Sequence, residues 1–225
     1  MDTLFNIENH LLPIYSNYIA TGKVKSYSIQ ICNVDTIKDV IEHFHYSKNV
    51  NGLVYKFCFA LYDENKVLIG GMIFGNISMA NVWKKYVKQE SDLLELKRLA
   101  IIDNTPKNAE SFFIGQALRW LKKNTSVKTI LSYADESYGH EGIIYKASNF
   151  QHVGKTKEGK VIIYNGKRFH DKAIRTKYND KLKPFAIKIK DALDSGNATY
   201  ESSKQKNIYI YHLIKNHTTK GILNN

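Results

Sequence analysis

The sequence predicts an α/β (α+β) fold with a basic C-terminal extension, on three observations. Apolar runs with a period of two alternate with runs at helical spacing through most of the chain. The segment Leu131–Phe150 reads as strand, polar turn and short helix, with a carboxylate at the strand end. Positive charge gathers after that segment instead of spreading evenly. A chain of 225 residues can bury a sizeable core as one domain, here with residues 1–154 as the core and 155–225 as the basic extension.

Taken in order, Thr36–Phe44 places Ile37, Val40, Ile41 and Phe44 at helical spacing and ends near His45. Tyr55–Leu61 and Val67–Phe74 are β-rich runs joined by Asp63-Glu64-Asn65, which predicts a hairpin. Gly70-Gly71 in the second run predicts a bulge or a close backbone approach. Leu93–Ile102 is a further strand in which Glu95 and Lys97 alternate imperfectly with apolar neighbours. Thr105-Pro106 predicts a cap followed by proline at the first helical position. The strongest helix follows over Ala109–Lys123, with Phe113, Ala117, Leu118 and Leu121 as its apolar stripe and Arg119, Lys122 and Lys123 outward. Thr129–Ala134 is the next strand. Val161–Tyr164 and Ile208–Leu213 are late strands, Leu182–Leu193 a basic amphipathic helix and Asp194–Lys206 a Ser/Asn-rich loop. No repeat, low-complexity tract or linker divides the chain.

Composition narrows the function. Apolar residues make up 43%, and no run reaches membrane-spanning length, so no membrane partner is expected. The opening MDTLFNIENHLLPIY has no basic region and does not read as a secretory signal. Cys32 and Cys58 form no CxxC, Cys58 reads as a small core residue, and a reducing, cytoplasmic setting is expected. The formal net charge is +12, and residues 151–190 hold twelve Lys/Arg against Glu158, Asp171 and Asp180, a local +9. Tyr164, Phe169, Tyr178 and Phe185 are interleaved with that charge. Such a segment suits a polyanion, since phosphate neutralisation releases counterions and rings stack on bases. A solvated lysine face is the alternative.

Several residues could carry chemistry. Asp135 ends a strand, and Gly139, His140 and Gly142 crowd the turn after it, a place where open α/β sheets hold ligands. The alternative is a corner whose Asp caps a helix and whose His is solvated. His45-Tyr46-Ser47 groups three hydrogen-bonding side chains at a helix end, as a proton-transfer cluster or a dipole-matched cap. Arg98, on a strand of Leu and Ile, could hold a carboxylate, phosphate or acyl oxygen, or pair with Glu95 or Asp135. Asn108 and Ser111 stand at a helix start suited to an anion or to a plain cap. His45, Asp135 and His140 show no strong metal-ligand spacing, and no metal site is assigned.

The motifs also carry a resemblance. YKASNF at Tyr145–Phe150 resembles the segment closing the cofactor half of GNAT-type acyltransferases. SYAD-x4-GH-x-G-x-IY-x-ASNF, His45-Tyr46-Ser47, LKRL at Leu96–Leu99, PKNAES at Pro106–Ser111 with the helix through Leu121, and NGKRFHDKAIRTK at Asn165–Lys177 resemble the Mom family of phage DNA-modification proteins, a divergent GNAT branch. Together these matches span roughly residues 40–215.

The resemblance implies a GNAT-like mixed central sheet flanked by helices. It implies transfer of a small acyl-type group (carbamoylmethyl- or methylcarbamoyl-like) to the exocyclic amine of adenine in double-stranded DNA, protecting phage DNA from restriction. Under it, Asp135 accepts the amine proton, His45 or Tyr46 orients the base, and Arg98 and Ser111 orient the donor, with Asn108 also on the donor side. Ser47, His140, Tyr145, Lys167, Arg168, His170, Arg175 and Lys177 would contact DNA. Where ordinary GNAT enzymes cradle coenzyme A with a Gly-rich turn, this chain has PKNAESFFIG, so acetyl-CoA and other acyl donors both stay open. Two rival readings remain: a conventional acetyltransferase on a protein or small amine, and a non-catalytic DNA-binding protein on the same scaffold.

Overall fold

The computed structural model describes residues 18–213, so the N-terminal stretch read above as no signal lies outside the described residues. Two compact units emerge. Among the described residues, one holds 18–133, Gly142–His152 and 209–213; the other holds Ala134–Glu141 and Val153–Ile208. The segment 155–225, read from sequence as one extension, contributes residues to both.

The elements of the large sheet begin with β1 (Ser28–Cys32), α1 (Val34–Phe44), β2 (Phe57–Tyr62), β3 (Leu68–Gly75) and β4 (Leu93–Ile101). They continue with α2 (Ala109–Asn124), β5 (Thr129–Asp135), α3 (Ile143–Ala147) and β6 (Gln151–Lys155). Then come β7 (Gly159–Tyr164), β8 (Lys167–His170), β9 (Lys177–Tyr178), β10 (Lys181–Leu182), α4 (Pro184–Asp194), β11 (Ala198–Ser203) and β12 (Lys206–His212). The seven-stranded sheet runs β1-β2-β3-β4-β5-β12-β6. Neighbours β1 to β4 are antiparallel and β4–β5 is parallel, giving the mixed sheet flanked by helices that the resemblance implies.

Alternation along β2 explains why helices cover both faces. Cys58 and Ala60 pack with Ile73 and Ala100 against Ile37, Val40 and Ile41 of α1. Phe57 and Phe59 point the other way, where Trp120 of α2 meets their rings at 5.7 and 5.4 Å. The expected stripe of α2, Phe113, Ala117, Leu118 and Leu121, is buried. Both readings of Gly70-Gly71 are met: a Cβ on Gly71 would stand 2.8 Å from Ile37 Cβ, and the ladder to β2 bulges beside Gly70. One register shift abuts Gly70, since Leu61 pairs with Gly70 and Tyr62 with Leu68 and Ile69 is left as the extra residue of a bulge; a second falls between Ile73 and Phe74.

The second unit carries a three-stranded sheet, β11-β7-β8, over α4. Its core is Ile162, Ile189, Ala192 and Ala198, with Tyr164, Phe169, Ile174 and Leu193 around it. Here the reading of Asp194–Lys206 as a loop is corrected, because Ala198–Ser203 pairs along β7. Polar Thr199, Glu201 and Ser202 suit an exposed strand that supplies only its backbone and one buried Ala198. Thr105-Pro106 is also corrected: the cap of α2 is Asn108 at φ 71°, and Pro106 lies in the turn before it, accepting the Ala109 amide at 3.2 Å. Among the described residues no helix is long and apolar enough to cross a membrane.

Candidate active site

In β4 an apolar strand interrupts itself with Glu95, Lys97 and Arg98. Arg98 pairs with Ile73 and Leu96 with Phe74, which leaves Lys97 as the extra residue of a bulge. On the other edge the parallel ladder covers only Leu93–Leu96 against Thr129–Ser132. Ser132 Oγ donates to Leu96 O at 3.2 Å on the last rung, and both strands then run on without pairing to each other. The result is a fork that exposes backbone and side chains deep in the sheet.

Buried polar groups line this fork. Glu95 Oε2 accepts the Ser78 amide at 2.9 Å, the Ser78 hydroxyl at 3.0 Å and Lys97 Nζ at 3.4 Å. With Glu95 paired to Lys97, Arg98 forms its bonds to carbonyls: Nη1 donates to Lys97 O at 2.8 Å and Nε to Asn49 O at 3.5 Å. Burial lowers the guanidinium pKa, while Tyr46 and Glu95 work the other way. A cation held by neutral acceptors keeps its charge for an anionic or acyl oxygen.

The end of α1 delivers the His45-Tyr46-Ser47 cluster to the same place. His45 is the C-cap, its amide donating to Ile41 O at 3.0 Å, and its side chain is buried. Nδ1 accepts the Ser47 amide at 3.1 Å and lies 2.8 Å from the Ser47 hydroxyl. An amide can only donate, so the neutral ring carries its proton on Nε2 and Nδ1 is the basic nitrogen. The Tyr46 ring lies 4.2 Å from that of His45, tilted by 32°. Tyr145 of α3 packs against Phe150 and Tyr209 at 5.5 and 5.3 Å. Burial pushes its hydroxyl up to about 12 against a hydrogen bond with Ser132, and Tyr46 and Glu95 add to the rise. Gly142 before α3 has φ 76°, and a Cβ there would overlap the Tyr209 ring, so only glycine lets α3 sit this close. Tyr133 Oη is buried without a hydrogen-bond partner, and burial with Glu95 and Tyr86 nearby raises its pKa.

The donor-side residues at α2 behave differently. Ser111 Oγ donates to Asn108 O at 3.1 Å, so its proton is engaged within the first turn. The Ala109 amide is bonded to Pro106 O, and Glu110 puts a carboxylate in the same turn. The Glu110 carboxylate opposes a coenzyme A pyrophosphate at this helix start, although the Glu110 and Ser111 amides are left open there.

Asp135 belongs to the second unit. Its carboxylate is buried, 2.9 Å from Lys206 Nζ, and accepts the Ser137 amide at 3.0 Å to cap the turn Glu136–Tyr138. Burial opposes its charge, but Lys206 and Ser137 together hold the carboxyl below its ordinary value. Glu136 bonds Lys155 at 2.9 Å and Asn207 at 2.7 Å. His140 is exposed in the following turn. Among the described residues no three His, Cys, Asp or Glu side chains gather to hold a metal. Lys167, Arg168, His170, Arg175 and Lys177 are all exposed, but Arg175 is bound to Asp171 at 2.7 Å. His170 Nδ1 accepts the Lys172 amide at 3.1 Å and stands 3.0 Å from Asp171 Oδ1, while the other oxygen of that carboxylate holds Arg175.

The sequence model of the Mom protein family matches residues 26–224. The chain belongs to the Mom family. The methylcarbamoylase Mom of Escherichia phage Mu is 28% identical over 160 residues, 67% of this chain and 64% of the relative, so the match spans less than two thirds of that protein. Among solved structures, a spermidine N-acetyltransferase mutant from Vibrio cholerae aligns at TM-score 0.49 and 8% identity, over 84% of this chain and 95% of the other. A Bacillus subtilis acetyltransferase in complex with CoA aligns at TM-score 0.48 and 13% identity, over 84% and 99%.

In this Mom-family chain the first unit brings together His45, Tyr46, Ser47, Arg98 and Tyr145, which sequence spacing alone could not join. Glu95, Lys97, Ser78, Ser132 and Tyr133 were not singled out as site residues. The signal for two of them was present: Glu95 and Lys97 are charges inside a run that otherwise reads as buried strand.

Proposed function

We propose that this protein transfers a small acyl-type group, methylcarbamoyl-like, to the exocyclic amine of adenine in DNA, and that the product shields phage DNA from restriction. The observation that carries this reading is the gathering of His45, Tyr46, Ser47, Arg98 and Tyr145 at the fork of β4. The activity named for the phage Mu relative supports the group transferred.

The adenine amine is conjugated into its ring and attacks a carbonyl only if its proton leaves as the N–C bond forms. Ser47 Oγ, 2.8 Å from His45 Nδ1, takes that proton while passing its own to the imidazole. Arg98 faces the negative charge that develops on the donor's carbonyl oxygen. Tyr145, protonated throughout the physiological range, supplies a proton to the departing group as its bond to the carbonyl carbon breaks. Tyr46, 37% exposed, is placed to stack on an adenine swung out of the duplex. Asp135, already holding Lys206 and Ser137, is the weaker base in this scheme and fixes the turn that carries His140. Phosphates are met by Lys167, Arg168, His170 and Lys177, with Arg175 contributing less.

The test is expression in a bacterium followed by digestion of host DNA to nucleosides and mass analysis. A heavier adenine nucleoside, lost in His45→Ala and Ser47→Ala, is expected. Unmodified DNA from a folded, DNA-binding protein would favour the binding-only reading. A thermal shift with acetyl-CoA and acetylation of a protein or small amine would favour the conventional acetyltransferase.

A further inference from the structure

A second site lies wholly within the second unit, at the junction of the β7–β8 hairpin and α4. The hairpin turns on Asn165-Gly166, both with positive φ (49° and 70°), the two-residue geometry that matches strand twist and holds a hairpin rigid. That turn sets Tyr164 opposite Lys167, and Phe169 falls on the same sheet face two residues on. From α4, Phe185, Lys188 and Ile189 share one face at spacings of three and four. These side chains line an open groove of about 260 Å³, floored by the Ile162–Ile189 core.

The chemistry of the walls selects the occupant. Three aromatic rings give the groove flat apolar sides, and Phe185 stays 49% exposed at its rim although burial would stabilise it. Lys167 and Lys188 put two ammonium groups at its edge, inside the stretch that carries a local +9. The volume is below the range of roughly 300–1,000 Å³ for drug-sized ligands, which suits one planar ring system with its charge left outside. We infer that this groove binds a single unstacked DNA base, the rings of Tyr164, Phe169 and Phe185 stacking on it while Lys167 and Lys188 hold the adjoining phosphates. This deepens the proposed DNA substrate by adding a base contact that is separate from the adenine being modified. Stacking is indifferent to base identity, so the groove would give affinity without sequence preference.

The test uses the full chain and an oligothymidylate, which contains no adenine and so reports on the groove even if adenine modification proves wrong. Phe185→Ser, at an exposed position, should weaken binding roughly 5- to 150-fold, the value of one stacked base, with the salt slope unchanged. Lys188→Gln should instead lower the log–log salt slope by about 0.7, the value of one phosphate contact on a single strand. Phe185→Trp should keep affinity, and its added fluorescence should be quenched by the oligonucleotide. Unchanged affinity in Phe185→Ser with an unquenched Phe185→Trp would overturn the inference, as would absence of oligothymidylate binding by the native chain. A host-DNA adenine adduct seen alongside either result would leave the proposed reaction standing and the groove reading rejected.

Discussion

Arg98 gives the sharpest residue-level expectation. Its guanidinium is braced by Lys97 O and Asn49 O, a planar arrangement that an ammonium cannot reproduce. Arg98→Lys should therefore lower adenine modification by about 10²-fold, close to the effect of Arg98→Ala, with DNA affinity retained; recovery by Lys would reduce the role to bare charge. Asp135 separates two roles by magnitude. Its folded pKa lies below the unfolded value, so its contribution to stability is present at neutral pH and is lost as pH falls through the folded value. Asp135→Asn should cost about 1–2 kcal/mol at pH 7, a difference that closes as pH falls through the lowered folded value, as read from denaturant melts. The same variant should lose less than about tenfold in modification, whereas a loss of 10²–10⁴ would return the proton-accepting role to Asp135.

At the scale of elements, α1 is positioned by the absence of a side chain. Gly71 lets Ile37 approach β3, and α1 in turn carries His45 to the fork. Gly71→Ala should destabilise by about 1–3 kcal/mol through overpacking, measurable as a lower melting midpoint, and should depress activity more than DNA binding. α1 and α2 were legible because their buried stripes repeat at helical spacing, as Ile37-Val40-Ile41 and Phe113-Ala117-Leu121 show. β8 and β11 were not. Lys167–His170 buries little beyond Phe169, and β11 is mostly exposed, so hydrophobic alternation is faint in both. The Asn165-Gly166 pair was the one local signal for the first of them.

At the scale of the whole molecule, the proposed DNA affinity should follow charge more than any single contact. Lys167→Gln and Arg168→Gln should each reduce the log–log salt slope of DNA binding by about 0.9, while Arg175→Gln should change it less because Asp171 already neutralises that guanidinium. Equal slopes in all three would mean a solvated face.

The sequence by itself determined the family through the resemblance of its motifs, and the α/β class, the two strong helices, the Asp63–Asn65 hairpin and the segregation of charge because each of these is written in short-range periodicity, turn chemistry or composition. Only the tertiary structure decided that Lys97 is a bulge, that Glu95 pairs with Lys97 and leaves Arg98 on carbonyls, and that Asp135 is bound to Lys206. Those outcomes depend on strand register and on where paired strands part, which join residues tens of positions apart and leave no mark on spacing along the chain.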